Sequence, residues 1–424
     1  MQKKQIFYGL FIWLWTAILL SCSENPHQLT LNILDSDVPG IVKDTTLFAI
    51  ADTSYQVRSK VNNQYSLRLI LGQLNNFEAR PILRFTSYLT LPDSAIVDSA
   101  KIQLSSAGIV SNGAPSPFIA TIYPALRVWT SNVDSVWSDY QQNINKGKPI
   151  AQLSIDPHDT IGINYIFTLN SDGIDLVKVW ADTATHPDDN YGILVDFDQA
   201  NFLQYFYAIN STRDPKLLLT YHLPSDTAVY RDTLNGTYDA FVYQGDFPRV
   251  DQRNYVSSLL VNHTLLKFDL LGFFNSQPRD ISLLSANLQL PLDLENSLVD
   301  PHYSLGNQAT LKLQSDFTDP AIVVDSTKNR FALATRWASD SSYIEISADD
   351  NRKKLSEILR LQLNEPDSSI GLVLSFIDSR DASSTISDEL EFFCYLAYFK
   401  RTYPDADKHP RLKITYWVPA SPRL

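Results

Sequence analysis

Apolar side chains in this chain recur mostly at every second position, in short runs broken by turn residues. Ala100, Ile102 and Leu104 alternate with Lys101 and Gln103, and Leu217 and Leu219 flank Leu218. A period of two turns one face of a strand inward and the other toward water, so the pattern predicts half-buried β-strands. Leu91-Pro92-Asp93-Ser94 and Ser111-Asn112-Gly113-Ala114-Pro115 supply the turn chemistry between them. Two stretches depart from this period. After Ser171-Asp172, the residues Ile174, Leu176, Val177 and Trp180 gather on one side of a helix. From about Asp349 to Leu363, Leu355, Ile358 and Leu359 take three-and-four spacing behind Ser347 as N-cap, with Arg352, Lys353 and Lys354 outward. The predicted fold is all-β: two tandem β-sandwich (jelly-roll-like) domains, each with one short helix.

The number two comes from an internal duplication. Asp214-Pro215-Lys216-Leu217-Leu218-Leu219-Thr220-Tyr221 returns as His409-Pro410-Arg411-Leu412-Lys413-Ile414-Thr415-Tyr416. Ile82-Leu83-Arg84-Phe85 matches Leu265-Leu266-Lys267-Phe268, and Ser99 to Leu104 matches Ser285 to Leu290. A strand, helix and strand from Tyr165-Ile166 to Gly192-Ile193-Leu194-Val195 recur from Tyr343-Ile344 to Gly371-Leu372-Val373-Leu374. Copies in the same order at similar spacing predict two homologous domains, 45–224 and 225–420.

A long, almost unbroken apolar run, Ile6 to Leu20, follows Lys3 and Lys4 and ends at Leu19-Leu20-Ser21-Cys22. It is shorter than the roughly 20 residues that cross a bilayer as a helix. A positive start, an apolar stretch and a small residue before the cut are the parts of a signal peptide, placed at 1–21. Cys22 after Leu-Leu-Ser resembles the lipobox of bacterial lipoproteins, in which that cysteine carries the lipid. The expectation is a lipidated N-terminus and tether over 22–44, held at the outer membrane and facing the cell surface.

Composition narrows the function. The formal net charge is −12, and an acidic body disfavours nucleic acid as a partner. The membrane is expected to be met through the lipid alone. With Cys22 acylated, the second cysteine, Cys394, has no partner for a disulfide, and its setting in Phe392-Phe393-Cys394-Tyr395-Leu396 reads as a small buried hydrophobe. No His-Glu-x-x-His helix, Gly-x-Ser-x-Gly elbow or phosphate-binding glycine loop is present, and the seven histidines are scattered. The chain reads as no enzyme.

Several strings together resemble the DNRLRE domain family. They are Arg84-Phe85, Val97-Asp98-Ser99-Ala100-Lys101-Ile102-Gln103-Leu104, the Trp129 and Trp137 pair, Trp180 ending a helix, Asn190-Tyr191-Gly192, and Asp214-Pro215-Lys216-Leu217. The likeness covers nearly all of 45–224 and, more loosely, 225–420. It implies secreted β-sandwiches akin to carbohydrate-binding modules. The second copy departs from the pattern, lacking the Trp pair and carrying Ser369-Ile370 before Gly371. The start of the chain also looks like lipoproteins of the Bacteroidetes.

Flat rings beside hydrogen-bonding groups are what a sugar needs, since its C–H face stacks while its hydroxyls bond. Tyr140, followed by Gln141, Gln142 and Asn143, fits this best; Trp137, Tyr205 and Tyr207 complete the glycan-binding set, the two tyrosines sharing a strand face. Trp129 and Trp180 are expected to be structural. Asp196 and Asp198, two apart on a strand, have the form of an acid/base pair, with a solvated strand face as the plainer reading. Asp188, Asp189 and Asn190 are dense oxygen donors that suit a structural calcium, or Asx-turn chemistry; no other cofactor is implied. The expected protein is a non-catalytic surface lipoprotein that binds polysaccharide or glycan. The alternative is a structural or adhesive envelope protein that binds another protein.

Overall fold

The computed structural model describes residues 40–56, 66–85, 91–92, 94–129, 146–182, 189–209, 211–224, 226–260, 262–277, 281–298, 308–314, 333–336, 343–346, 355, 359, 371–376 and 393–420. The apolar run at 6–20, Cys22 and most of the tether lie outside them. The chain is all-β. Its first half carries β1 (Gly40–Gln56), β2 (Arg68–Leu74), β3 (Phe77–Phe85), β4 (Ile96–Ser111), β5 (Phe118–Pro124), β6 (Ala151–Ile155), β7 (Asn164–Thr168), helix α1 (Ser171–Ala181), β8 (Ile193–Phe197), β9 (Phe202–Tyr207) and β10 (Lys216–His222). The second half carries β11 (Val229–Gln244), β12 (Arg253–Ser257), β13 (Asn262–Phe268), helix α2 (Leu270–Asn275), β14 (Ser282–Pro291), β15 (Gln308–Gln314), β16 (Leu333–Arg336), β17 (Tyr343–Ile346), β18 (Gly371–Phe376), β19 (Tyr395–Phe399) and β20 (Arg411–Pro419).

Each half contains one system of antiparallel strands folded over itself. In the first, β11, β10, β4 and β7 form one layer, and β4, β9, β2, β3, β8, β5 and β6 run on into the other. In the second, β1, β20, β14 and β17 form one layer, and β1, β13, β18, β15 and β16 the other, with β12 between β13 and β19. The alternation puts Ala100, Ile102 and Leu104 inward against Leu217 and Leu219, all buried, with Lys101 outward. Each such aliphatic side chain contributes about 1.5–3 kcal/mol by leaving water.

The strands cross between the halves. β1 leads the chain but pairs with β20 over Gly40–Phe48 and with β13 over Ala49–Gln56, both in the second half. β11 opens the second repeat but pairs with β10 and β3 of the first. The two are equivalent: each passes from one layer to the other at a one-residue bulge, at Ala49/Ala51 in β1 and at Gly236/Tyr238 in β11. A bulge kinks and twists a strand enough for it to serve two layers. At the second bulge the residue must be small, because a Cβ on Gly236 would sit 2.9 Å from Cγ1 of Ile209. The sheets therefore do not part at 224/225, where the sequence repeat does.

An aromatic seam joins the halves. Phe77 stacks on Phe393 at 4.1 Å, Phe247 stacks on Tyr395 at 4.6 Å, and the Phe393 amide donates to the Tyr205 hydroxyl at 3.1 Å. These rings belong to one continuous buried cluster drawn from both repeats. Helix α1 forms where expected, beginning at Ser171 itself, and Asn170 caps it, accepting from the Gly173 amide at 3.0 Å. Val177 and Trp180 face the core, as expected. Of the helix expected over 349–363, only Leu355 and Leu359 lie within the described residues; both are helical and wholly buried. The short α2, capped by Asp269, was not predicted.

Candidate functional site

β20 carries the clearest alternation in the second half. Leu412, Ile414, Tyr416 and Val418 are buried, so Arg411, Lys413, Thr415 and Trp417 point outward. β1 and β14 flank it and extend those positions into rows. Phe48 and Gln289 sit opposite Arg411, Thr46 and Asn287 opposite Lys413, Asp44 and Ser285 opposite Thr415, and Val42 and Ser282 opposite Trp417. Thr415 Oγ1 donates to Asp44 Oδ1 at 2.7 Å and Arg411 Nε donates to Gln289 Oε1 at 3.0 Å. Phe48 is 47% exposed, and the Trp417 indole lies against Gly40, where a Cβ would collide with it. The face thus offers two rings with hydroxyl, amide, carboxylate and cationic groups between them.

This face runs into a cavity of about 450 Å³ at its far end, lined by Pro291, Leu292, Asp293, Leu294, Tyr343, Phe399, Asp407, Lys408 and Arg411. Tyr343, paired with Pro291 at the layer's edge, is 43% exposed. Behind the lining of the cavity, Arg253 from β12 holds Asp293 and Phe399. Arg253 Nε donates to Asp293 Oδ2 at 2.6 Å, and its guanidinium lies 4.0 Å from the Phe399 ring centre and 4.6 Å from that of Tyr403. Lys408 Nζ lies 4.7 Å from the Phe399 centre. Burial alone would raise the pKa of Asp293, but hydrogen bonds from Arg253 and Asn296 and the charge of Arg253 outweigh it and hold the carboxyl below its ordinary value. A carboxylate locked in this way can accept hydrogen bonds from a ligand but has no proton to give at neutral pH.

The residues singled out in the sequence lie elsewhere. Trp137 and Tyr140 fall outside the described residues, as does Asp188. Tyr205 must be withdrawn as a glycan-stacking residue: it is wholly buried, because β9 is covered on both faces where the halves meet. Tyr207, at the end of that strand, is half-buried with the Arg213 guanidinium 5.9 Å from its ring centre. Trp129 is structural as expected, its Nε1 donating to the Tyr191 carbonyl at 2.6 Å.

Asp196 and Asp198 do not form an acid/base pair. Asp196 takes Arg80 Nε and Lys146 Nζ at 2.6 Å each, and these hydrogen bonds overcome the effect of burial and lower its pKa. Asp198 Oδ1 accepts from the Ile119 amide at 2.8 Å. Asn190 is buried and donates to the Phe85 carbonyl at 3.0 Å, and the Tyr191 hydroxyl donates to Asp189 Oδ1 at 3.4 Å. Among the described residues no group of three or more His, Cys, Asp or Glu gathers in a metal-holding arrangement. Cys394 is buried, with Sγ 3.1 Å from Ser258 Oγ. Among the described residues no helix is long and apolar enough to cross a membrane.

Sequence reasoning missed Arg253, Asp293, Tyr343, Lys408 and Arg411. One signal was available. The outward positions of the repeated strand read Lys216, Leu218, Thr220 and His222 in the first copy, against Arg411, Lys413, Thr415 and Trp417 in the second. No protein-family model and no curated protein matches this chain.

Proposed function

We propose that this protein is a non-catalytic, lipid-anchored surface lipoprotein that holds a polysaccharide across the outer face of its second sandwich. The observation that carries the reading is the continuity of that face with the cavity. Phe48 and Trp417 stand on the face and Tyr343 at the cavity, with Thr415, Asn287, Lys413 and Arg411 between them. A sugar chain needs this alternation of flat apolar surface and hydrogen-bonding edge. Asp293 and Asp196, tied up in ion pairs, support a binding rather than a catalytic role. The lipobox at Cys22 and the likeness to DNRLRE modules belong to the same proposal.

The test is binding of the full chain to a broad set of immobilised polysaccharides. Trp417→Ala and Tyr343→Ala are each expected to weaken binding by about tenfold, roughly 1.4 kcal/mol, with little change in melting temperature. Folded protein that binds no glycan, or binding indifferent to both substitutions, would overturn the reading. The exposed Ile41 and Val42 at the start of β1 favour a protein partner as a second reading.

A further inference from the structure

β1 lies between two hydrogen-bonded neighbours in the second half, yet its side chains barely enter the core. Of its 17 residues only Ala49 is buried. Ile41 and Val42 are 61% and 58% exposed, and Phe48 and Ile50 are nearly half exposed. The strand is held by the backbone ladder, against β20 on one edge and β13 on the other, and by a few side chains: Asp52 Oδ2 accepts from Asn254 Nδ2 at 2.6 Å and from the Arg401 amide at 3.0 Å, and Leu47 packs against the second core. A ladder is indifferent to which molecule supplies the strand, because every N–H and C=O is met equally well by an identical sequence. β1 also precedes every other described strand, so it can leave its slot without unthreading any of them.

We propose that the slot between β20 and β13 is an interaction surface for a second copy of this chain, whose β1 enters in place of the resident strand. The molecule already performs the exchange once within itself, since β1 and β11 each complete the half that the other begins. The same pairing between molecules costs no contact and creates none that is foreign to the fold, which is the condition for strand swapping. β11 does not exchange. It is joined to described strands on both sides, and it buries Asp239, Ala240, Phe241, Val242 and Tyr243. Removing it would expose the first core, whereas removing β1 uncovers Ala49, the Leu47 contact and the Asp52 hydrogen bonds, each of which an identical strand restores. An empty slot is a pair of unsatisfied sheet edges, so it is refilled by the nearest matching strand.

Thr46 and Lys413 sit opposite one another in the β1–β20 register and both are exposed, so cysteines there report which molecule fills the slot. In full-length Cys22→Ser protein, Thr46→Cys and Lys413→Cys are introduced singly, mixed and mildly oxidised. The expected product is a disulfide-linked species containing both variants, at twice the monomer mass, whose yield rises with protein concentration. A control mixture of Thr46→Cys with Lys101→Cys, an exposed position in the first half, should give several-fold less. The double variant Thr46→Cys/Lys413→Cys at low concentration should close within one chain. The proposal is overturned if the double variant closes but the mixed single variants stay at the control level across all concentrations. Failure of the double variant to close would also overturn it, by removing the slot itself.

Discussion

β11 and β1 occupy the same place in their respective sandwiches, yet they are held by different forces. β11 arrives with a bulged turn at Gly236 and then five consecutive buried residues, Asp239 to Tyr243, packed on both faces. β1 arrives with the same bulge and one buried alanine. Topology alone therefore does not fix how firmly a strand is bound. Side-chain burial does, and here it ties β11 into the first half with a run of core residues while β1 enters the second core only through Ala49 and Leu47 and is anchored to β12 by Asp52.

Substitution in the better-buried strand should separate the two most sharply. Phe241, with no exposed surface, should cost about 3–5 kcal/mol as Phe241→Ala, read by chemical denaturation. The next largest effect concerns the buried carboxyl of the same strand. Asp239 is pushed up to about 7 by burial, against which the hydrogen bond from the Ile209 amide works only in part. The folded state therefore holds its proton more tightly than the unfolded one, for which the ordinary value is 3.8. Stability should fall as pH rises from about 4 to 7 and stay lowered above that. Asp239→Asn should remove this contribution and gain up to roughly 4 kcal/mol above pH 7, seen as denaturation midpoints that fall less between pH 4 and 7 than those of the unsubstituted protein. A slope that survives the substitution unchanged would place its origin elsewhere.

Smaller effects separate the equivalent arginines of the two halves. Arg68 and Arg253 sit opposite Tyr207 and Phe399 at matching strand ends. Arg68 Nη1 donates to the Ala107 carbonyl at 2.7 Å, while Arg253 is paired with a carboxylate. Arg253→Ala leaves Asp293 buried with its charge and should cost about 3 kcal/mol. Arg68→Ala removes the bond to the Ala107 carbonyl, a contribution of about 1 kcal/mol. Equal losses in thermal denaturation would contradict the different roles of the two. Last, Phe48→Ala in β1 should change stability by no more than about 0.5 kcal/mol.

The outer faces repeat the lesson. Lys216 pairs with Gln103 and Asn235 in the first half as Arg411 pairs with Gln289 and Phe48 in the second. Leu218 stands between Lys101 and Thr233 as Lys413 stands between Asn287 and Thr46. The scaffold is duplicated, but its two outer faces carry different side chains. The strands of this face were legible from the alternation around Leu412 and Ile414, because a period of two needs only neighbours in sequence. The site was not legible. Phe48, Arg411, Tyr343 and Arg253 come from four strands far apart in the chain, and no spacing brings them together until the register is known. Tyr205 failed for the same reason, since the strand pattern says which residues share a face but not whether that face meets water or another sheet.

What the sequence by itself determined is local: strands from the alternation, the α1 helix from its spacing, and two units from the repeat. Each depends on interactions within a few residues or on likeness between copies. Only the tertiary structure decided which repeat each leading strand completes, which faces are sealed by the aromatic seam, and where a carboxylate meets its arginine. Those outcomes depend on pairing and burial between residues far apart in the chain. There the free energy is set by what packs against a side chain rather than by what precedes it.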